Sequence, residues 1–161
     1  MEVIQYEQSS SRLCPDPVIF LAGPTVRGNQ QHLVSWRFEA IEEFRKQGFK
    51  GTLIVPEFTD KTESDKGRDD LPLWEFRGMD RAKCVMFWIA RTRELIGLCT
   101  NFEFGYWIAI DPFKVVYGRP EDSYRTHYND IMWRRVRGQY AKIHDTLEST
   151  VRGAIERASK T

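Results

Sequence analysis

Val18-Ile19-Phe20-Leu21-Ala22-Gly23-Pro24 is a run of five apolar residues stopped by a glycine and a proline. Polar residues do not alternate with apolar ones inside it. It therefore reads as a strand buried on both faces, as in parallel sheets that carry helices on each side. Leu53-Ile-Val55, Cys84-Val-Met-Phe-Trp-Ile89 and Lys114-Val-Val-Tyr117 repeat the pattern, and Ala141-Lys-Ile143 is a weak fifth strand. Helical periodicity fills the intervals. Leu33, Trp36, Ala40, Ile41 and Phe44 form one amphipathic stripe, ended at Gln47-Gly48, where glycine suits the position after the helix. Leu73–Lys83 and Thr100–Ala109 read as the next two helices, and Tyr124, Tyr128, Ile131 and Met132 suggest a fourth. Asp145-Thr-Leu-Glu148 looks like a capping box opening a last helix, lined by Leu147, Val151, Ala154, Ile155 and Ala158.

Strands alternating with helices predict parallel βαβ units with right-handed crossovers. The expected fold is α/β: a three-layer, flavodoxin/Rossmann-like architecture with a five-stranded parallel sheet. In that order the first and third strands flank the point where the winding reverses, and ligands bind outside the strand ends there. The loops Gly23–Gly28 and Arg91–Asn101 meet at that point, so Glu103 is expected to face the Gly23-Pro24 turn. The chain of 161 residues suits one domain, taken as residues 17–161, with residues 1–16 as a loose leader. Residues 57–72 are acidic and polar, long enough for a lid.

Hydrophobic residues make up 41% of the chain and charged ones 29%, an ordinary soluble composition. A net charge of +1 argues against a dedicated nucleic-acid binder. Arg134, Arg135 and Arg137 read as a solvated helix face. Cys14, Cys84 and Cys99 show neither ligand spacing nor an even framework, so a reducing cytoplasm is the expected context. No signal peptide or membrane-length apolar run is visible. His32, His127 and His144 are not spaced as ligands, and neither a metal nor a cofactor is expected.

Thr100-Asn-Phe-Glu-Phe-Gly-Tyr-Trp-Ile-Ala109 carries the first chemical candidate. Thr100 and Glu103 fit a capping box. Glu103 fits equally a catalytic carboxylate, kept ionised by the positive end of the helix dipole. Gly105 and Ala109 share a face with Phe102 that suits packing on the sheet, while Tyr106, Trp107 and Ile110 follow Glu103 at helical spacing. The loop Gly23-Pro24-Thr25-Val26-Arg27-Gly28 matches no dinucleotide or P-loop fingerprint, but its glycines let backbone approach a ligand. Arg27 reads as a phosphate partner or as an exposed arginine. Asn101 reads as a sugar-hydroxyl partner or as a turn residue. Among the tryptophans, Trp74 is kept as a base-stacking candidate because it adjoins Glu75.

Four segments in this order and spacing, Ile19-Phe-Leu-Ala-Gly-Pro24, Trp74-Glu75, Val85-Met-Phe-Trp88 and Thr100-Asn-Phe-Glu-Phe-Gly105, resemble the nucleoside 2-deoxyribosyltransferase-like family. The resemblance runs from about Val18 to about Ala158, and Asp145-Thr-Leu-Glu148 fits one branch. It implies an enzyme that moves a 2-deoxyribosyl group between nucleobases, with Glu103 as the nucleophilic glutamate. It also implies an acid on the preceding helix, for which Glu75 is a better match than Asp80, although an aspartate is more usual there. Many members carry another aspartate six residues before the nucleophile, where this chain has Gly97. The implied partners are nucleosides and nucleobases, with sites commonly completed by a neighbouring subunit.

A carboxylate at an anomeric carbon stabilises the oxocarbenium-like transition state and, by attacking, forms a glycosyl ester. Glu75 reads as proton donor, as orienter of Glu103, or as a surface glutamate. An N-glycosidase of nucleosides or their monophosphates and a non-catalytic nucleotide sensor are the alternative functions. A homo-oligomer is expected, with Tyr117–Tyr128 as its interface because aromatics and arginines mix there.

Overall fold

The computed structural model describes residues 1–6, 14–27, 30, 32–57 and 70–160. Strands β1 (Glu2–Ile4), β2 (Val18–Ala22), β3 (Thr52–Ile54), β4 (Cys84–Trp88) and β5 (Val115–Gly118) form one all-parallel sheet in the order β1-β3-β2-β4-β5. Helices α1 (Trp36–Lys46), α2 (Leu71–Arg81), α3 (Leu98–Ile110), α4 (His127–Arg137) and α5 (Leu147–Ala158) cover its two faces. This is the expected three-layer α/β fold.

Period-two alternation sorts the core. Val18, Phe20, Ala22, Val85, Phe87 and Tyr117 join Trp74, Met79, Phe104, Trp107 and Trp133 of α2, α3 and α4. Ile19, Leu21, Leu53, Met86, Trp88 and Val116 join Ala40, Phe44, Val151 and Ala154 of α1 and α5 on the other side. With helices against both faces, all five residues of β2 and of β4 are buried, which is why their sequences show no polar alternation.

The sheet differs from expectation at its edges. Glu2–Ile4, read as part of a loose leader, is a strand pairing in register with β3, and Ile4 is wholly buried. Residues 7–13 lie outside the described residues. The strand read at Ala141–Ile143 reduces to one parallel bridge between Gly118 and His144, because the chain turns at once into the cap of α5. That cap is Thr146, whose hydroxyl accepts from the Ser149 amide at 3.1 Å. Glu148 pairs instead with Arg152, so the box read from Asp145 is off by one residue.

Helix α3 carries the largest revision. It begins at Leu98 after Gly97, which sits at φ +59° without a side-chain cap, so Thr100 lies buried inside the first turn and closes no capping box. Its buried residues are Thr100, Phe104, Trp107 and Ile108. Phe102, Gly105 and Ala109, expected against the sheet, face outward. The helix is apolar nearly all round, so its own periodicity did not mark the inner face.

Candidate active site

In a parallel sheet each helix begins where the preceding strand ends. The first turns of α1, α2 and α3 therefore gather at one edge of the sheet, and β2 and β4 flank the reversal of winding there. Gly23 ends β2 at φ +151°, and a Cβ on it would lie 2.3 Å from the Trp88 carbonyl oxygen and 2.8 Å from the Trp36 ring. Only glycine fits between the strand end and the helix. Across the gap, a Cβ on Gly97 would lie 2.9 Å from Pro24 Cβ, so the loops after β2 and β4 touch as expected. The same contact accounts for the glycine where an aspartate stands in the resembling family. A left-handed backbone packed against Pro24 has no room for a side chain.

A buried arginine, Arg37, shapes the Gly23-Pro24-Thr25 loop. Its Nε donates to Leu21 O at 3.0 Å, and Nη2 donates to Gly23 O at 2.8 Å. Nη1 donates to Pro24 O at 3.3 Å, to Thr25 Oγ1 at 3.1 Å and to the Glu57 carboxylate at 2.9 Å. Ser35, the cap of α1, donates its hydroxyl to the same Glu57 oxygen at 2.5 Å. Trp36 Nε1 adds a bond to Pro24 O at 3.0 Å. The planar, five-donor guanidinium can tie several carbonyls at once, which an ammonium cannot.

Glu75 on α2 and Glu103 on α3 are partly buried at this edge and interact electrostatically. Burial raises the Glu75 pKa, the charge of Glu103 raises it further, and Arg37 and Arg27 oppose both, leaving Glu75 pushed up to about 7. Burial also raises Glu103, against the same two arginines. The expected depression by the helix dipole is therefore outweighed: Glu103 lies beyond the first turn of α3, where the dipole has fallen off. Once ionised, Glu103 helps to hold the proton on Glu75. At neutral pH the pair can offer one carboxylate and one carboxylic acid, the split that general acid–base and nucleophilic chemistry requires.

The remaining candidates take distinct places. Pro24 is buried, Thr25 is partly buried under Arg37, and Arg27 is exposed but close enough to act on both glutamates. Trp74 lies in the core, its ring edge-on to Tyr6 with centroids 5.6 Å apart. Asn101 leaves α3 on roughly the opposite side from Glu103, given about 100° per residue. Its Oδ1 accepts from Arg91 Nη2 at 2.5 Å and from Asn129 Nδ2 at 3.1 Å, linking α3 to its entry loop and to α4. Gly28 and most of the acidic stretch read as a lid, residues 58–69, lie outside the described residues. Among the described residues no His, Cys, Asp and Glu side chains group as metal ligands would.

A scan against protein-family models and a search of curated proteins find no match to this chain. The chemical reading therefore stands on the residues themselves. Sequence reasoning missed Arg37, Glu57, Ser35 and Arg91. Arg37 did leave a signal: it lies in the apolar stripe of α1, three and four residues before Ala40 and Ile41, where a charge demands a buried partner. Glu57, its partner, followed a strand end and carried no local mark.

Proposed function

We propose that this chain is a nucleoside 2-deoxyribosyltransferase. The observation that carries the reading is the pair Glu75 and Glu103, two partly buried carboxyls close enough for the charge of one to raise the pKa of the other, at the edge where the sheet reverses its winding. The four segments that resemble the transferase family support it, because two of them supply these residues. Ionised Glu103 attacks the anomeric carbon, the bond from that carbon to the base nitrogen breaks, and the electron pair leaves with the base. Protonated Glu75 gives its proton to the departing base. A second base then attacks the same carbon, displaces Glu103, and returns a proton to Glu75, with net retention. Arg37 keeps the Gly23-Pro24-Thr25 loop in place and, with Arg27, limits how far both carboxyls rise.

The test is chromatography of a 2-deoxynucleoside incubated with a different free base. Formation of a new deoxynucleoside is the expected result. Release of base at an unchanged rate without acceptor, with free sugar as the only other product, identifies a hydrolase instead. Ligand-induced stabilisation without turnover, across deoxynucleosides, ribonucleosides and their monophosphates, identifies a sensor.

A further inference from the structure

Arg37, Arg91 and Arg119 meet the C-terminal edge of the sheet with side chains largely enclosed, and two of them have a carboxylate. Arg37 pairs with Glu57 at 2.9 Å and Arg119 with Asp130 at 2.6 Å. Arg91, just past the end of β4, is 5% exposed, yet no described carboxylate lies within ion-pair distance of it. Its Nε is buried without a partner. Its Nη2 donates only to neutral oxygens, Asn101 Oδ1 at 2.5 Å and Gly97 O at 3.5 Å. Burial lowers the Arg91 pKa, and Tyr117, not a carboxylate, opposes the shift. An enclosed guanidinium without a counter-charge is unfavourable, so an anion is what this position lacks.

The start of α4 closes over the same guanidinium. Ser123 Oγ accepts from the Arg91 amide at 3.0 Å, and the Tyr124 amide donates to Arg91 O at 3.1 Å. Asn129, in the first turn of α4, donates from Nδ2 to Asn101 Oδ1 at 3.1 Å, so two donors converge on one neutral oxygen. The Thr126 hydroxyl donates to Ser123 O instead of capping the helix, which leaves the first amides of α4 without a side-chain acceptor. Arg93 and Arg125 flank the turn before α4, 5.7 Å and 5.1 Å from the Tyr124 ring centroid. Glu121 and Asp122 are exposed in the same turn and pair with none of these three arginines.

We propose that Arg91 and the first turn of α4 form a phosphate-binding site, in which a phosphate oxygen takes the place of Asn101 Oδ1. The ligand is a phosphate dianion, either inorganic or carried by a small ester. A guanidinium fork and a helix N-terminus both suit it. Asn101 is exposed, so its side chain can swing outward as the oxygen enters. Asn101 and Glu103 stand about 200° apart around α3, at about 100° per residue. The site is therefore separate from the carboxyl pair and independent of the transferase reading.

Calorimetric titration of the full chain with inorganic phosphate, at an ionic strength fixed with sodium chloride, tests this. Wild type should bind phosphate saturably and melt at a higher temperature than in chloride alone. Asn101→Asp gives Arg91 the carboxylate it lacks, and should weaken phosphate at least about tenfold in a folded protein. Arg91→Met should weaken it as much. Arg125 holds φ +53°, so Arg125→Gly relieves the backbone while removing a flanking charge, and should cost about two- to fivefold in affinity. Ribose 5-phosphate separates the two sources. Tighter binding than inorganic phosphate, lost in Asn101→Asp, identifies an ester, and equal or weaker binding identifies free phosphate. Saturating deoxyadenosine should leave the phosphate affinity unchanged, and competition between them overturns the proposal. So does a wild type that phosphate stabilises no more than chloride, or an affinity that survives both Asn101→Asp and Arg91→Met. Should Arg91→Met misfold, Asn101→Asp decides alone. Phosphate binding lost in that variant supports the site whether or not deoxyadenosine is turned over.

Discussion

The charge on Glu103 helps hold a proton on Glu75, a residue from a different helix, against the pull of Arg37 and Arg27. Because the raised carboxyl ends at about 7, the pair changes state within the ordinary working range of pH. Base exchange should rise as Glu103 ionises and fall as Glu75 loses its proton near pH 7, a bell-shaped profile. In Glu75→Gln the alkaline limb should vanish along with most of the rate. An alkaline limb unchanged in that variant would remove Glu75 from the proton transfer.

The same shift has a stability consequence. A carboxyl whose folded pKa lies above its unfolded value binds its proton more tightly in the native state. Its contribution is therefore fully present below about 4.5 and is lost as pH rises through about 7. For Glu75 alone the loss is roughly 2–3 kcal/mol. Denaturant unfolding at pH 5 and pH 8 should show a fall of that order in wild type. Glu75→Gln should reduce it to what the raised Glu103 alone contributes, and an equal pH dependence in the two proteins contradicts the assignment.

Glu103→Gln keeps the shape and removes the charge. Exchange should drop by orders of magnitude, while stability at neutral pH stays level or improves, because a buried charge has gone. Carbon-13 titration should find Glu75 lower than in wild type yet still above 4.5, since burial is its larger cause. Normal turnover in a folded Glu103→Gln protein would end the nucleophile reading.

Arg37 should not tolerate lysine. Arg37→Lys breaks most of the bonds to Leu21, Gly23, Pro24 and Thr25, and Arg37→Met leaves Glu57 buried without its charge partner. The methionine variant should lose about 3–5 kcal/mol in chemical unfolding. Full stability in the lysine variant would show that the forked geometry is unnecessary.

Gly97→Asp tests whether the aspartate common in the resembling family can be restored. The left-handed backbone and the contact with Pro24 oppose any side chain there. The expected cost is about 1–3 kcal/mol, without a gain in exchange. Higher activity at unchanged melting temperature would mean that the loop accommodates the side chain.

A 2-hydroxyl withdraws electrons from the oxocarbenium centre, so deoxynucleosides should outpace ribonucleosides at the formation of the Glu103 adduct. Deoxyadenosine and adenosine should differ in kcat, while each competes with the other for binding. Equal kcat values would refute the electronic argument. Lack of competition would point to steric exclusion.

The sheet was legible in the sequence because its signals are local. Val18–Ala22 and Cys84–Trp88 are continuously apolar because helices cover both their faces, and that pattern needs no knowledge of distant neighbours. The placement of Glu103 and Glu75 near the starts of two helices followed from the same pattern. β1 escaped because three residues at a sheet edge, beginning with Glu2, carry too little periodicity to read. Tertiary structure decided what depends on neighbours far along the chain. Leu98–Ile110 is apolar on almost every side, so only packing against β4, β5 and α4 could select Phe104, Trp107 and Ile108 as its inner face and leave Phe102 and Gly105 outside. The Arg37–Glu57 pair, the fit of Gly97 against Pro24 and the rise of both glutamate pKa values arise where strand ends and helix starts meet. Desolvation and charge act through space there, and no local pattern records them.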